Sequence, residues 1–156
     1  MLSRFLPLLL LAFSGAALAG TEPALAVPAS EADFGAQRAQ IEKKLADGKT
    51  YAEIAPGDRQ RVTEALQRMS DELAGVANIE QMQTAARTRL FNDQELVNTL
   101  LTQAAADSRL VCEHRTPTGS RMKVTTCETV AERERRKQND QNELQKLQRP
   151  VAPLRN

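Results

Sequence analysis

From residue 31 onward, apolar positions recur at helical spacing among charged and amide side chains. Phe34, Ile41 and Leu45 fall at i, i+7 and i+11, and Gly48 closes the segment. Ser30 or Glu31 is placed to begin it. Thr50 and Glu53 have capping-box spacing, which predicts one or two helical turns before Pro56-Gly57 stops them. Asp58 reads as the cap of a stronger helix. Its apolar stripe is Val62, Ala65, Leu66, Met69 and Leu73, and Gly75 ends it. Asn78 is a further cap signal, followed by a thin stripe of Ile79, Met82, Ala86 and Leu90. Asn92 and Glu95 repeat the capping-box spacing ahead of Leu96, Val97, Leu100, Leu101, Ala104 and Ala105. Residues 31–107 are thus expected to hold four helices and one short helical turn, joined as in a small bundle.

The pattern changes at Arg109. Residues 110–115 and 122–127 are rich in β-formers, and the Thr116-Pro117-Thr118-Gly119-Ser120 stretch between them is turn chemistry. A β-hairpin over 109–127 follows. From Val130 the composition is helical again but almost wholly polar, with no apolar residue from 132 to 143. Leu144 and Leu147 return a weak stripe, and Pro150 and Pro153 end any helix. Residues 132–156 are expected to be a solvated helix fraying into a disordered tail, dispensable for folding of the rest.

The N-terminus reads differently from everything after it. Arg4 precedes a nine-residue apolar core, FLPLLLLAF, and Ala17-Leu18-Ala19 has the form of a cleavage site. Residues 1–19 are therefore read as a secretory signal peptide. The apolar stretch is shorter than the ~20 residues that span a bilayer. Residues 20–30, with Pro23 and Pro28, read as a flexible leader. Residues 31–131 are then one helical domain carrying the hairpin.

Composition narrows the functions available. Lys and Arg total 21 and Asp and Glu total 20, a net charge of +1. That balance argues against a broad nucleic-acid surface, which needs clustered cations. There is no Trp, one Tyr, one His and four Phe, so the core must rest on aliphatic side chains and Met. A helix-turn-helix over 78–106 is set aside, because residues 92–103 carry acids and no Lys or Arg.

Cys112 and Cys127 are the sharpest feature. In an exported chain two cysteines are expected to pair. A two-residue Gly119-Ser120 turn would place Thr118 opposite Arg121, and opposed residue numbers would then total 239, as 112 and 127 do. A three-residue Pro117-Thr118-Gly119 loop with a bulge is the alternative and shifts that register. Closing the loop by a disulfide stabilises it by roughly 3 kcal/mol in the chain-entropy treatment.

The residues Cys112, Thr118-Gly119-Ser120-Arg121 and Cys127 resemble a segment of uncharacterised small exported proteobacterial proteins. The similarity covers about 20 residues. It implies an exported, Cys-bridged hairpin and no catalytic role. In many of those proteins a Trp follows the second Cys, whereas Val130-Ala131-Glu132 stands here.

Other chemistry has less support. Cys112, His114 and Cys127 could supply three metal ligands, but no second His completes a structural shell. Cys112 and His114 share a strand face, yet a disulfide removes the thiolate a nucleophile needs. Asp71 and Glu72 are adjacent and do not face each other, and Glu132 and Glu134 lie in a polar helix. Arg133, Arg135, Arg136 and Lys137 form a basic cluster that anionic lipid could meet, although Glu132 and Glu134 interleave with it. No catalytic, cofactor or metal residue is assigned. The expected protein is mainly α: a small bundle of short helices, a disulfide-stapled β-hairpin and a polar C-terminal helix. Its expected role is that of a non-enzymatic periplasmic or secreted module, structural or binding, with an envelope protein or surface component as partner. A small secreted enzyme or enzyme inhibitor is the alternative.

Overall fold

A computed structural model describes residues 24–148. The signal-peptide assignment and the 149–156 tail lie outside the described residues. The chain is mainly α. Helices α1 (Glu31–Ala46), α2 (Pro56–Leu73) and α3 (Thr84–Asp107) form the body, with a 3-10 turn at Ile79–Gln81. Strands β1 (Leu110–Arg115) and β2 (Val124–Thr129) follow as an antiparallel hairpin, and α4 (Val130–Gln148) continues directly from β2.

Local chemistry explains the ends of α1. Ser30 Oγ accepts a hydrogen bond from the Asp33 N–H at 3.3 Å. Glu31 and Asp33 sit in the first turn and Lys43 and Lys44 in the last, as the helix dipole favours. Gly48 then takes φ +64°, a conformation open to glycine. Phe34, Ile41 and Leu45 are buried, as their spacing predicts. The α2 stripe is buried in full at Val62, Ala65, Leu66, Met69 and Leu73.

Three local expectations are corrected. The Thr50–Glu53 spacing does not open a helix. The Asp47 carboxylate accepts from the backbone N–H groups of Lys49 (2.7 Å) and Thr50 (2.9 Å) and from the Thr50 hydroxyl, so that hydroxyl has no cap to make. The hydroxyl bond, then the two backbone bonds, hold the Asp47 carboxyl below its usual range. Pro56 starts α2 rather than stopping a helix, because Pro at the first helical position forfeits only an N–H that has no helical partner there. Ala55, not Asp58, is the N-cap, and Asp58 pairs with Arg61 at 3.0 Å.

The third correction concerns helix count. One helix, α3, runs through Asn92–Glu95 where a new start was expected. Leu90, Val97, Leu101 and Ala104 are all buried at i, i+7, i+11 and i+14, so a single face serves the core across the supposed break. The cap side chains are used otherwise. Asp93 receives the Arg68 guanidinium from α2, with Nε–Oδ2 at 3.0 Å. The body therefore has three helices and a 3-10 turn, capped by Asn78 Oδ1 accepting from the Glu80 N–H at 2.8 Å.

Residues 24–30 are not a loose leader. Leu25 is fully buried in the core, and Pro28 is buried beside the 3-10 connection. Asn98 holds both backbone groups of Leu25: its Oδ1 accepts from the N–H and its Nδ2 donates to the C=O, each at 2.8 Å. Gln94 adds a donor to the same carbonyl at 3.2 Å. Burying one Leu contributes about 1.5–3 kcal/mol. No polarity pattern announces this, because the docking depends on two amides of α3 far along the chain.

Candidate functional site

The hairpin and the joint that carries it are where the unusual chemistry gathers. Cys112 is opposite Cys127, with Cα atoms 4.0 Å apart and the sulfurs bonded. Pairing runs from Leu110–Thr129 to Arg115–Val124, so residues 116–123 make the connection. The 239 register holds, but the turn differs from a two-residue Gly119-Ser120 loop. Ser120 N–H donates to the Pro117 carbonyl at 3.0 Å, and Gly119 at the third turn position has φ +84°, as a type II turn requires. Thr118 and Arg121 do not pair. Pro117 has no N–H to extend a ladder, so pairing stops before it. Ser120 Oγ accepts from the Met122 N–H at 3.1 Å, stiffening the return.

Both cysteines are exposed, as is almost all of the hairpin. His114 lies across from Thr125, with Nδ1 and Oγ1 2.7 Å apart. His114, Thr116 and Lys123 line a shallow depression of about 340 Å³ near the distal end. Glu113 pairs with Arg115 at 2.9 Å. That bond, more than the charges of Arg115, Arg133 and Arg136, holds the Glu113 carboxyl below its usual range.

At its other end the hairpin is fixed by a polar joint. Thr129 and Glu132 form a capping box at the start of α4. Glu132 N–H donates to Thr129 Oγ1 at 3.0 Å, and Thr129 N–H donates to Glu132 Oε2 at 2.8 Å. The Thr129 hydroxyl also donates to Glu53 Oε1 at 2.7 Å. Arg135 reaches the other oxygen of Glu53 at 2.8 Å. The backbone N–H of Glu53 donates to Ser108 Oγ at 2.9 Å, at the end of α3. Thr129 and Ser108 are buried, and the Glu53 side chain is 14% exposed. The Arg135 bond first, and the Thr129 bond second, hold the Glu53 carboxyl below its usual range. Val130 N–H donates to the Arg109 carbonyl at 3.0 Å, closing the base of the hairpin.

The other candidate side chains are dispersed. The cysteines are bonded, so Cys112 offers no thiolate to His114. Among the described residues no three His, Cys, Asp or Glu are grouped as a metal would need. Asp71 accepts from Gln67, while Glu72 pairs with Arg89 of α3 at 2.6 Å. Both border an open groove of about 600 Å³ between α2 and α3, where Arg68 pairs with Asp93 and Arg89 with Glu72 while Asp71 makes no ion pair among the described residues. Three of the four cations of the basic cluster have separate partners: Arg135 binds Glu53, Arg136 binds Glu128 at 2.6 Å, and Lys137 reaches Glu134 at 3.4 Å, while Arg133 makes no ion pair among the described residues.

Sequence reading missed Glu53, Ser108 and Thr129. The Thr129-x-x-Glu132 box was legible and locates the start of α4. The partnership with Glu53 was not, since it joins residues 76 positions apart. No described helix is long and apolar enough to cross a membrane. Comparison of the chain with protein-family models, curated proteins and solved structures found no match.

Proposed function

We propose that the chain is an exported, non-enzymatic binding or structural module of the bacterial envelope, and that its hairpin is the presented element. The observation that carries this reading is an exposed, disulfide-braced hairpin anchored to the body through Thr129, Glu53 and Arg135. A brace that spans a surface element, rather than a core, preorders that element for contact and lowers the ordering cost of binding. The signal-like N-terminus and the similarity to small exported proteobacterial proteins support export to the periplasm or beyond. The stable disulfide supports an oxidising compartment.

Two measurements test the reading together. Fractionation and intact mass should find the chain outside the cytoplasm, starting near Gly20 and without free thiols. A photoreactive residue at Thr118, introduced in intact cells, should yield a crosslinked product that the same residue at Glu64 of the body does not. A reduced cytoplasmic protein, or equal labelling from both positions, would refute it.

A further inference from the structure

Among the described residues, the distal end of the hairpin sets unpaired cations beside exposed apolar side chains. From 114 to 127 there are three Lys or Arg and no acidic residue. Arg121 and Lys123 make no ion pair among the described residues, and Arg115 is bound only to Glu113. Between the cations stands Met122, 76% exposed, and Val124 follows at 49%. The long stems of Arg and Lys can lie along an apolar layer while their heads stay at its polar boundary. Cations flanking exposed apolar side chains on a rigid turn therefore match an interface that is anionic outside and apolar just beneath.

We infer that the hairpin tip, through Arg115, Arg121, Met122 and Lys123, docks on the phosphate headgroups of an anionic phospholipid surface. The inference rests on the exported-module reading and names its partner. Charge distribution points the same way. Residues 24–108 carry 13 acidic and 9 basic side chains, whereas the hairpin region, 109–129, carries 2 acidic and 4 basic. The body is thus repelled from an anionic surface and the hairpin drawn to it, which orients the molecule tip first. A second copy's acidic body is the competing occupant. Four of its 13 acids, Glu42, Asp58, Glu72 and Asp93, are paired with their own arginines. Its exposed large apolar side chains are Val27 and Phe91 only, among the described residues. A nucleic acid would want stacking side chains, and residues 109–129 contain no Phe, Tyr or Trp.

The test is sedimentation of the oxidised full-length mature protein with phosphatidylglycerol–phosphatidylcholine vesicles, against pure phosphatidylcholine vesicles. Binding should require the anionic lipid and fall with salt. Arg121→Gln with Lys123→Gln should weaken it about 25-fold, from about fivefold per cation near an anionic surface. Met122→Ser should weaken it several-fold at every salt concentration. Lys43→Gln with Lys44→Gln, the same charge change on α1, should leave it unchanged. Thiol labelling confirms that each variant keeps its disulfide. Equal binding to both vesicle types, equal loss in the α1 variant, or salt-sensitive self-association without vesicle binding would each overturn the inference. So would tight binding to heparin by a protein that ignores vesicles. If instead Thr118 captures an envelope protein in cells and vesicles are not bound, the lipid inference fails while the exported-module reading stands.

Discussion

The body and the projecting unit hold together by different physics. Residues 24–108 bury a continuous apolar core: Leu25 from the N-terminal segment, Phe34 and Ile41 from α1, Leu66, Met69 and Leu73 from α2, and Leu90, Val97 and Leu101 from α3. In residues 109–148 the only buried side chain is Thr129, a polar one. That unit is held by a covalent bond, a capping box and two hydrogen bonds to Glu53. Hydrophobic burial is non-directional and spreads over many side chains, so the body tolerates small shifts. The joint depends on specific oxygens, so its loss should be local and abrupt.

Four changes test that contrast. The largest effect belongs to the core. Leu101→Ala should cost about 2–5 kcal/mol and lower the thermal midpoint by several degrees for each of them. A cooperative melt that hardly moves would mean the body is not one packed unit. Next, replacing Cys112 and Cys127 by Ala should remove roughly 3 kcal/mol of loop-closure stabilisation from the hairpin alone. Amide exchange in 110–129 should accelerate while the helical melt stays in place. A matching fall in the body's midpoint would show the two units to be coupled.

Glu53→Ala comes third. It leaves the buried Thr129 hydroxyl without its acceptor and Arg135 without its partner, a loss of about 1–3 kcal/mol confined to the joint. Exchange at 129–136 should report it, and α2 should not. The same carboxylate sets an acid limit. Its folded pKa lies below the ordinary 4.5, so its contribution is complete above that value and is lost as pH falls through the folded one. The wild-type joint should therefore be unchanged from pH 7 to 5 and open in stronger acid. In Glu53→Ala that acid step should be missing, and a persistent step would assign it to another group. The smallest effect is expected from truncation after Gln138, which among the described residues removes only exposed side chains and should move the midpoint by no more than about 2 °C. Truncation after Ala131 differs, because it also removes Glu132 and Arg135 from the joint.

What the sequence disclosed follows from the same division. Periodicity located α1 nearly to the residue and the buried face of α2, though not its start, because Phe34–Ile41–Leu45 and Val62–Leu73 each write one buried face into the local pattern. The hairpin register was also legible, since the cysteines and the symmetric spacing around Gly119-Ser120 constrain it. Local cap signals misled where tertiary demands overrode them. Asn92–Glu95 has capping chemistry, but the Leu90–Val97–Leu101 face keeps the helix running, and Asp93 serves Arg68 instead. Residues 20–30 looked featureless because the docking of Leu25 is specified by Asn98 and Gln94, not by its neighbours. Glu53 carried a misleading local signal, its capping-box spacing from Thr50, and nothing around it in sequence names Thr129 or Arg135.

The absence of any linker between Thr129 and Val130 gives the joint a mechanical meaning. Hairpin and α4 are two arms of one bent lever, and the Thr129–Glu53 contact is its fulcrum. A helix of 19 residues extends about 28 Å at 1.5 Å per residue, so a tilt of about 10° at the fulcrum carries its far end through about 5 Å. Where hairpin and α4 turn as one body, a load on the hairpin tip would move the exposed Leu144 and Leu147 at the opposite end. The hydrogen bonds of Glu53 tie that fulcrum to the body.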